Sequence, residues 1–268
     1  MKRYDPQDHA RAAADLLAAE ESGDQIGLLS LRHPDIGMDD AYAVQNAICT
    51  AKLAQGRRVI GWKIGLTSKA MQYALGIDIP DSGILFDDMA FDHDATVPAG
   101  RFIQPRIEAE IAFVLKSAIG GADVTRDEVI AATDYVAPAI EILDTRIVRV
   151  DAETGKSRSV FDTISDNAAN AGIVLGPQRH AVDAFDLRWV GAITTRDGAV
   201  EETGLGAVLN DPVESVVWLA RRMAQYGQSI EPGQVILSGS FIRPVECPPG
   251  SVITADFGDF GDVALSFA

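Results

Sequence analysis

Pro105-Arg106-Ile107-Glu108-Ala109-Glu110-Ile111-Ala112-Phe113-Val114-Leu115 is the stretch on which the fold turns. Its second half is apolar throughout, as in a strand covered on both faces, and a strand puts residues i and i+2 on one side. Glu108 and Glu110 therefore stand together at the head of a core strand. Two like charges placed there repel and desolvate one another. A divalent cation relieves both costs; the alternative is an edge strand whose acidic pair faces solvent. Pro138-Ala139-Ile140-Glu141-Ile142-Leu143 repeats the puzzle with one acid, for which a bond to an arginine is the competing explanation. Three carboxylates on neighbouring strands make a hard-cation site with open positions, suited to Mg²⁺ or Mn²⁺.

Outward from these two strands, the chain alternates short apolar runs with Gly, Pro and Asp punctuation, at 59–65, 84–86, 187–194, 235–237, 251–257 and 263–267. Helices are expected over 6–22, from Asp39 or Asp40 to Gly56, and briefly over 67–75. Thr125 with Glu128 has capping-box spacing, and Asp211-Pro212 opens a helix whose broad face carries Val213, Val216, Val217, Leu219, Ala220 and Met223. Arg196-Asp197-Gly198 is a hairpin turn between strand-like flanks. Strands and helices do not alternate regularly, which disfavours a Rossmann fold or a (β/α) barrel. The class is α+β, with a mixed or antiparallel β core. A helical N-terminal section over 1–58 precedes a β-rich catalytic part over 59–268, and the two form one structural unit.

Composition narrows the partners. The 268 residues carry 23 Lys and Arg against 39 Asp and Glu, a net charge of −16. Such a field repels nucleic acid and anionic membranes, although a bound cation or a few local arginines can still receive a small anion. The longest stretch without a charged residue, 167–178, is about a dozen residues, short of the ~20 that a spanning helix needs. Cys49 and Cys247 form no disulfide framework or zinc motif, so a cytoplasmic protein is expected.

Common catalytic signatures are absent. Gly204-Leu205-Gly206 lacks the rest of a dinucleotide fingerprint, Gly155-Lys156-Ser157 lacks the first glycine of a phosphate loop, and no Gly-x-Ser-x-Gly elbow occurs. His9, His33, His93 and His180 have no metal-ligand spacing. Lys63, between Gly61 and Gly65, is either a solvent-facing edge residue or a partly buried ammonium with a lowered pKa, fit to move a proton or hold an anion. Asp81 is by default a turn former, and beside Lys63 and a metal it becomes a candidate general base.

Four segments together resemble one family. They are Gly61-Trp62-Lys63-Ile64-Gly65-Leu66-Thr67-Ser68-Lys69-Ala70-Met71-Gln72, Pro80-Asp81-x-Gly83, Pro105-Arg106-Ile107-Glu108-Ala109-Glu110 and Asp162-Thr163-Ile164-Ser165-Asp166-Asn167-Ala168-Ala169. The chain is similar, over nearly its whole length, to the 2-keto-4-pentenoate hydratases and 4-oxalocrotonate decarboxylases of the fumarylacetoacetate hydrolase superfamily. The resemblance implies a mixed β-sandwich roll with a helical N-terminal section, and large homo-oligomers. It implies Glu108, Glu110 and Glu141 as ligands of Mg²⁺ or Mn²⁺, with Lys63 and Asp81 as the catalytic pair. Val160-Phe161, Asn170-Ala171-Gly172 and Gly239-Ser240-Phe241-x-Arg243-Pro244 resemble the branch that hydrates a 2-oxo dicarboxylate of homoprotocatechuate degradation. Arg243 is the expected partner of the far carboxylate, with a structural ion pair as its alternative; Ser165 and Gln104 are also expected to contact substrate. Ser82 stands where a tyrosine is expected, and Trp62 where a histidine is unsurprising. Rival expectations are decarboxylation of 4-oxalocrotonate, hydration of the monoacid 2-hydroxypenta-2,4-dienoate, and carbon–carbon hydrolysis, which needs a His–Glu pair. An acidic scaffold without catalysis is a further rival.

Overall fold

The computed structural model describes residues 4–69, 72, 73, 77 and 79–268. Helix α1 (Pro6–Ser22) starts at Asp5, whose carboxylate accepts from the N–H groups of Gln7 and Asp8, and stops at left-handed Gly23. After the single turn α2 (Leu29–Arg32), α3 (Met38–Ala54) opens with Asp39 and Asp40 in its first turn. These helices close on Leu16, Leu28, Val44, Ile48 and Ile147. Ile147 arrives from the β-rich part, where its backbone bridges Ile26.

Eight strands form the main sheet. They are β1 (Val59–Gly65), β2 (Asp81–Phe86), β3 (Ala90–Phe91), β5 (Arg106–Leu115), β6 (Thr133–Leu143), β7 (Asn170–Leu175), β10 (Val235–Leu237) and β11 (Val245–Glu246). Their order is β2-β1-β10-β5-β6-β7-β3, with β11 also on β5. Parallel pairs β1–β10 and β3–β7 make the sheet mixed. A second sheet runs β4 (Thr96–Val97), β13 (Asp262–Phe267), β12 (Val252–Asp256), β8 (Gly191–Arg196), β9 (Ala199–Leu205). Helix α4 (Arg126–Ala132) is capped by Thr125 and Glu128. The short helix α5 (Val160–Ser165) precedes β7, and α6 (Pro212–Ala224) follows β9.

Strand alternation on β5 sets the site. Ile107, Ala109, Ile111, Phe113 and Leu115 enter the main core with Ile253, Val263 and Leu265 of the second sheet and Val213, Val216 and Leu219 of α6. The opposite face therefore carries Arg106, Glu108, Glu110 and Ala112. Ala112 packs there with Leu85, Ala139, Ile173 and Leu237.

Three expectations change. Residues 187–194 are not one strand: Leu187–Trp189 is a 3₁₀ turn and the strand begins at Gly191. Asp81 is the first residue of β2 rather than a turn former. Strand β7, between β6 and the edge strand β3, lies within the uncharged stretch, where no strand was expected. The helix expected over 67–75 falls partly outside the described residues. Among the described residues, no helix is long and apolar enough to cross a membrane.

Candidate metal centre and active site

Register brings the acids together. Glu108 on β5 is the direct antiparallel partner of Glu141 on β6, so both point from one face, and Glu110 follows one alternation later. Ligand oxygens of Glu108, Glu110 and Glu141 all lie within 4.8 Å of one another. Glu110 and Glu141 are fully buried and Glu108 is half-buried, which excludes a solvent-facing acidic pair. Glu110 Oε2 accepts the Gly239 N–H at 2.7 Å. Gly239 sits at φ +115 with the Thr67 side chain pressed where a Cβ would stand, so only glycine presents its N–H there.

Lys63 is no edge residue. Strand β1 is flanked by β2 and β10, and Lys63 is buried with its Nζ 3.5 Å from Glu141 Oε1. Asp81 is buried opposite Gly65 in the β1–β2 ladder. A Cβ on Gly65 would strike the Asp81 carboxylate and come 3.1 Å from Lys63 Nζ, so the second glycine of the Gly61–Gly65 bracket lets the pair meet.

Electrostatics sharpen the arrangement. Burial, then the Glu141 charge, pushes Glu108 up to about 8 against the pull of Lys63. Burial, Glu141 and Glu108 raise Glu110 well above the usual carboxylate range, and burial also raises Glu141 and Asp81, tempered by Lys63. Burial alone would lower the Lys63 pKa. The carboxylates of Glu141, Asp81, Glu108 and Glu110 outweigh it and carry the pKa upward, reversing the lowered value expected from the sequence. Lys63 is therefore a firmly held ammonium.

Several buried carboxylate oxygens have no hydrogen-bond donor, namely Glu110 Oε1, Glu141 Oε2 and Asp81 Oδ1, and Glu141 Oε1 has only the Lys63 ammonium at 3.5 Å. Orphan acceptors this deep are costly. A hard dication is the partner that three converging carboxylates fit, and the all-oxygen donor set suits it.

The surroundings are equally specific. Asn167 Oδ1 accepts the Ile84 N–H at 2.8 Å and its Nδ2 donates to Ile84 O at 2.9 Å, so this side chain extends β2 as a strand would. Asn167, Ala168 and Ala169 are all left-handed, with φ 51, 53 and 61, a costly run for non-glycine residues. Sequence reasoning offered Asn167, with Ser165 and Asp166, as a substrate contact or a brace of the metal shell, with a plain turn as the alternative, and it assigned nothing to the backbone N–H of Gly239. Ser165 is buried with an unpartnered Oγ, and Asp166 is bound to Arg146 at 2.6 Å.

Glu108, Thr67, Ser240, Phe241 and Arg243 line a cleft of about 640 Å³. Arg243 is 86% exposed at its rim and pairs with Glu202 at 2.7 Å, the structural ion pair that stood as its alternative. Gln104 is exposed in a second cleft of about 560 Å³ with Arg106 and Arg149, at the Arg106 end of β5. His9 bonds Asp40, His33 packs on Tyr4, His93 meets Ala264 and His180 meets Phe260. None joins the glutamates as a carbon–carbon hydrolase would need.

No family model matches the chain. Individual relatives do. The 2-oxo-hept-4-ene-1,7-dioate hydratase of Escherichia coli is 48% identical over 265 residues, 98% of this chain and 99% of that protein. The chain belongs to the hydratase and decarboxylase family. The 2-keto-4-pentenoate hydratase of Paraburkholderia xenovorans strain LB400 is 40% identical over 98% of this chain and 96% of its own. A solved structure of 4-oxalocrotonate decarboxylase from Pseudomonas putida G7, complexed with magnesium and adipate, superposes with TM-score 0.91. It is 32% identical over all of this chain and 99% of its own. The α+β architecture of this family is the one described above, and the glutamate cluster gives it a candidate metal centre.

Proposed function

We propose that this protein is a divalent-metal-dependent hydro-lyase acting on 2-oxohept-3-ene-1,7-dioate, which forms from 2-hydroxyhepta-2,4-dienedioate. Water adds across C3=C4: oxygen bonds to C4, C3 takes a proton, and the product is 4-hydroxy-2-oxoheptanedioate. The observation that carries this is the convergence of Glu108, Glu110 and Glu141, with orphan oxygens, beside buried Lys63 and Asp81.

Glu108, Glu110 and Glu141 would hold Mg²⁺ or Mn²⁺, which when bound supplies a Lewis acid to the substrate's C2 oxygen. Asp81 Oδ1, buried and without a donor, takes the proton of the adding water. Lys63 donates hydrogen bonds to the 2-oxo acid end and, as a fixed cation, favours the ionised form of Asp81 against burial. The apolar floor of Leu85, Ala112, Ala139, Ile173 and Leu237 keeps bulk water from beneath the reacting carbons.

The working context is homoprotocatechuate degradation in the cytoplasm, by a homo-oligomer. Support for assembly comes from the second sheet, where Ile193, Val200, Leu205 and Val252, with Trp189 in the turn before it, are large apolar side chains exposed to solvent. Titrating Mg²⁺ while following the ultraviolet loss of the conjugated dienol tests the activity. Hydration that appears with the ion and vanishes with chelator is expected. Release of CO₂ from 4-oxalocrotonate without hydration of the heptadienedioate would assign the decarboxylase reaction instead.

A further inference from the structure

Arg106, Glu108 and Glu110 share one face of β5, so Arg106 lies one alternation, about 6.6 Å, beyond the carboxylates. Arg149, which opens onto the same cleft as Arg106, and Arg158, on which the Arg106 charge acts, stand on the hairpin after β6. Its base is closed by the Arg158 N–H donating to Arg149 O at 2.8 Å, and by the Val150–Ser157 bridge. Each of the three arginines has a buried guanidinium nitrogen without an acceptor: Arg106 Nε, Arg149 Nε and Arg158 Nη1. Arg106 has Glu246 at 2.6 Å. Among the described residues, no carboxylate lies within 4 Å of the Arg149 or Arg158 guanidinium.

That is an unexpected economy of anions in a chain of net charge −16. Buried guanidinium nitrogens are normally forked onto carboxylates, and of these three neighbouring cations only Arg106 is paired with one. Burial and the other arginines hold Arg149 below its ordinary pKa, and burial leads the same shift in Arg158. The charge of Arg158 also reaches Asp81 and draws its pKa down, so this cation belongs to the same electrostatic neighbourhood as the catalytic pair. A group that would satisfy all three is an anionic fork of oxygens arriving with a ligand.

The charge balance asks for it as well. Four carboxylates against Lys63 and one dication leave the site negative, which opposes a doubly charged substrate. In a seven-carbon dioate the far carboxylate carbon is five carbon–carbon bonds from C2, about 6 Å in an extended zigzag where each ~1.5 Å bond advances about 1.25 Å. One strand alternation from the glutamates covers that distance. Arg243 cannot serve as well, being exposed and paired with Glu202. Gln104 shares the 560 Å³ cleft onto which Arg106 and Arg149 open.

We propose that Arg158, with Arg149 and Arg106 beside it, is the anion subsite that receives the second carboxylate of the substrate and so sets the preference for a dicarboxylate. This rests on the hydratase reading above. The test compares 2-oxoheptanedioate with 2-oxoheptanoate, which differ only at that end, by calorimetric binding to the Mg²⁺-loaded protein. A charged hydrogen bond contributes ~1.5–3 kcal/mol, so the wild type should prefer the diacid by about ten- to a hundredfold. Arg158→Met should bring the preference to within about threefold, with Arg158→Lys intermediate because it keeps the charge and loses the fork. If Arg158→Met does not fold by circular dichroism, Arg149→Met carries the same expectation. A wild type without preference, or variants that retain it, overturns the subsite. Failure of both compounds to bind, with no hydration of the heptadienedioate, overturns the hydratase reading instead.

Discussion

Glu110→Gln should make the ion-free protein more stable while abolishing its response to Mg²⁺. The amide oxygen can still accept the Gly239 N–H, and the amide nitrogen replaces Oε1, which has no donor. The charge spacing gives the size. At an effective dielectric of ~20, unit charges 4.8 Å apart, the widest spacing in the cluster, repel by about 3.5 kcal/mol. Burial and the charges of Glu141 and Glu108 act in the same sense, raising the Glu110 pKa well above the ordinary 4.5. The sign follows from proton counting: the folded state keeps a proton that the unfolded state releases, so wild-type stability falls as pH rises above 4.5. The gain should shrink as pH falls towards 4.5. Thermal unfolding in chelator at pH 7 should show a midpoint roughly 6–12 °C above the wild type. With Mg²⁺ at a hundred times its dissociation constant, the wild type should gain about 2.7 kcal/mol and the variant almost nothing. A variant midpoint at or below the wild type in chelator, or a preserved Mg²⁺ shift, refutes the reasoning.

Asp81→Asn should slow hydration by about 10²–10⁴ and keep the Mg²⁺-induced midpoint shift, because Asp81 is outside the ligand triad; loss of the shift would make it a metal ligand. Arg146→Met strands the buried Asp166 carboxylate, which accepts from Arg146 Nε at 2.6 Å, and should cost about 3–5 kcal/mol in urea unfolding. Adding Asp166→Asn should recover part of that loss, and no recovery would mean that packing rather than charge sets the cost. Cys247 is buried and its thiol is pushed up to about 12, chiefly by burial, so mass spectrometry after native alkylation at pH 8 should find it unmodified.

The candidate site was legible to the extent that it obeys strand periodicity. Two-residue spacing on one face gave the Glu108–Glu110 pair, and the antiparallel register supplied Glu141 as its neighbour. The helices were legible from their caps, as at Thr125 with Glu128. Asn170–Leu175 escaped because its small apolar residues follow three left-handed positions, a geometry that no local preference of Asn or Ala announces. The direction of the Lys63 shift was hidden because its sign depends on four carboxylates supplied by three other strands. Arg158 carried no periodic signal, since where a hairpin lands is decided by tertiary packing.

The division of labour between sheet and hairpin has a consequence for how such enzymes diversify. Bond-making chemistry stands on β1, β2, β5 and β6, whose side chains are locked from both sides, whereas two of the three arginines ride on the short excursion between β6 and α5. Residues 152–157 at its tip are exposed. Exchanging that excursion for one of another length or charge would retune which tail the catalyst tolerates while leaving its reactive floor in place, so substrate range and reaction type can evolve on separate pieces of one chain.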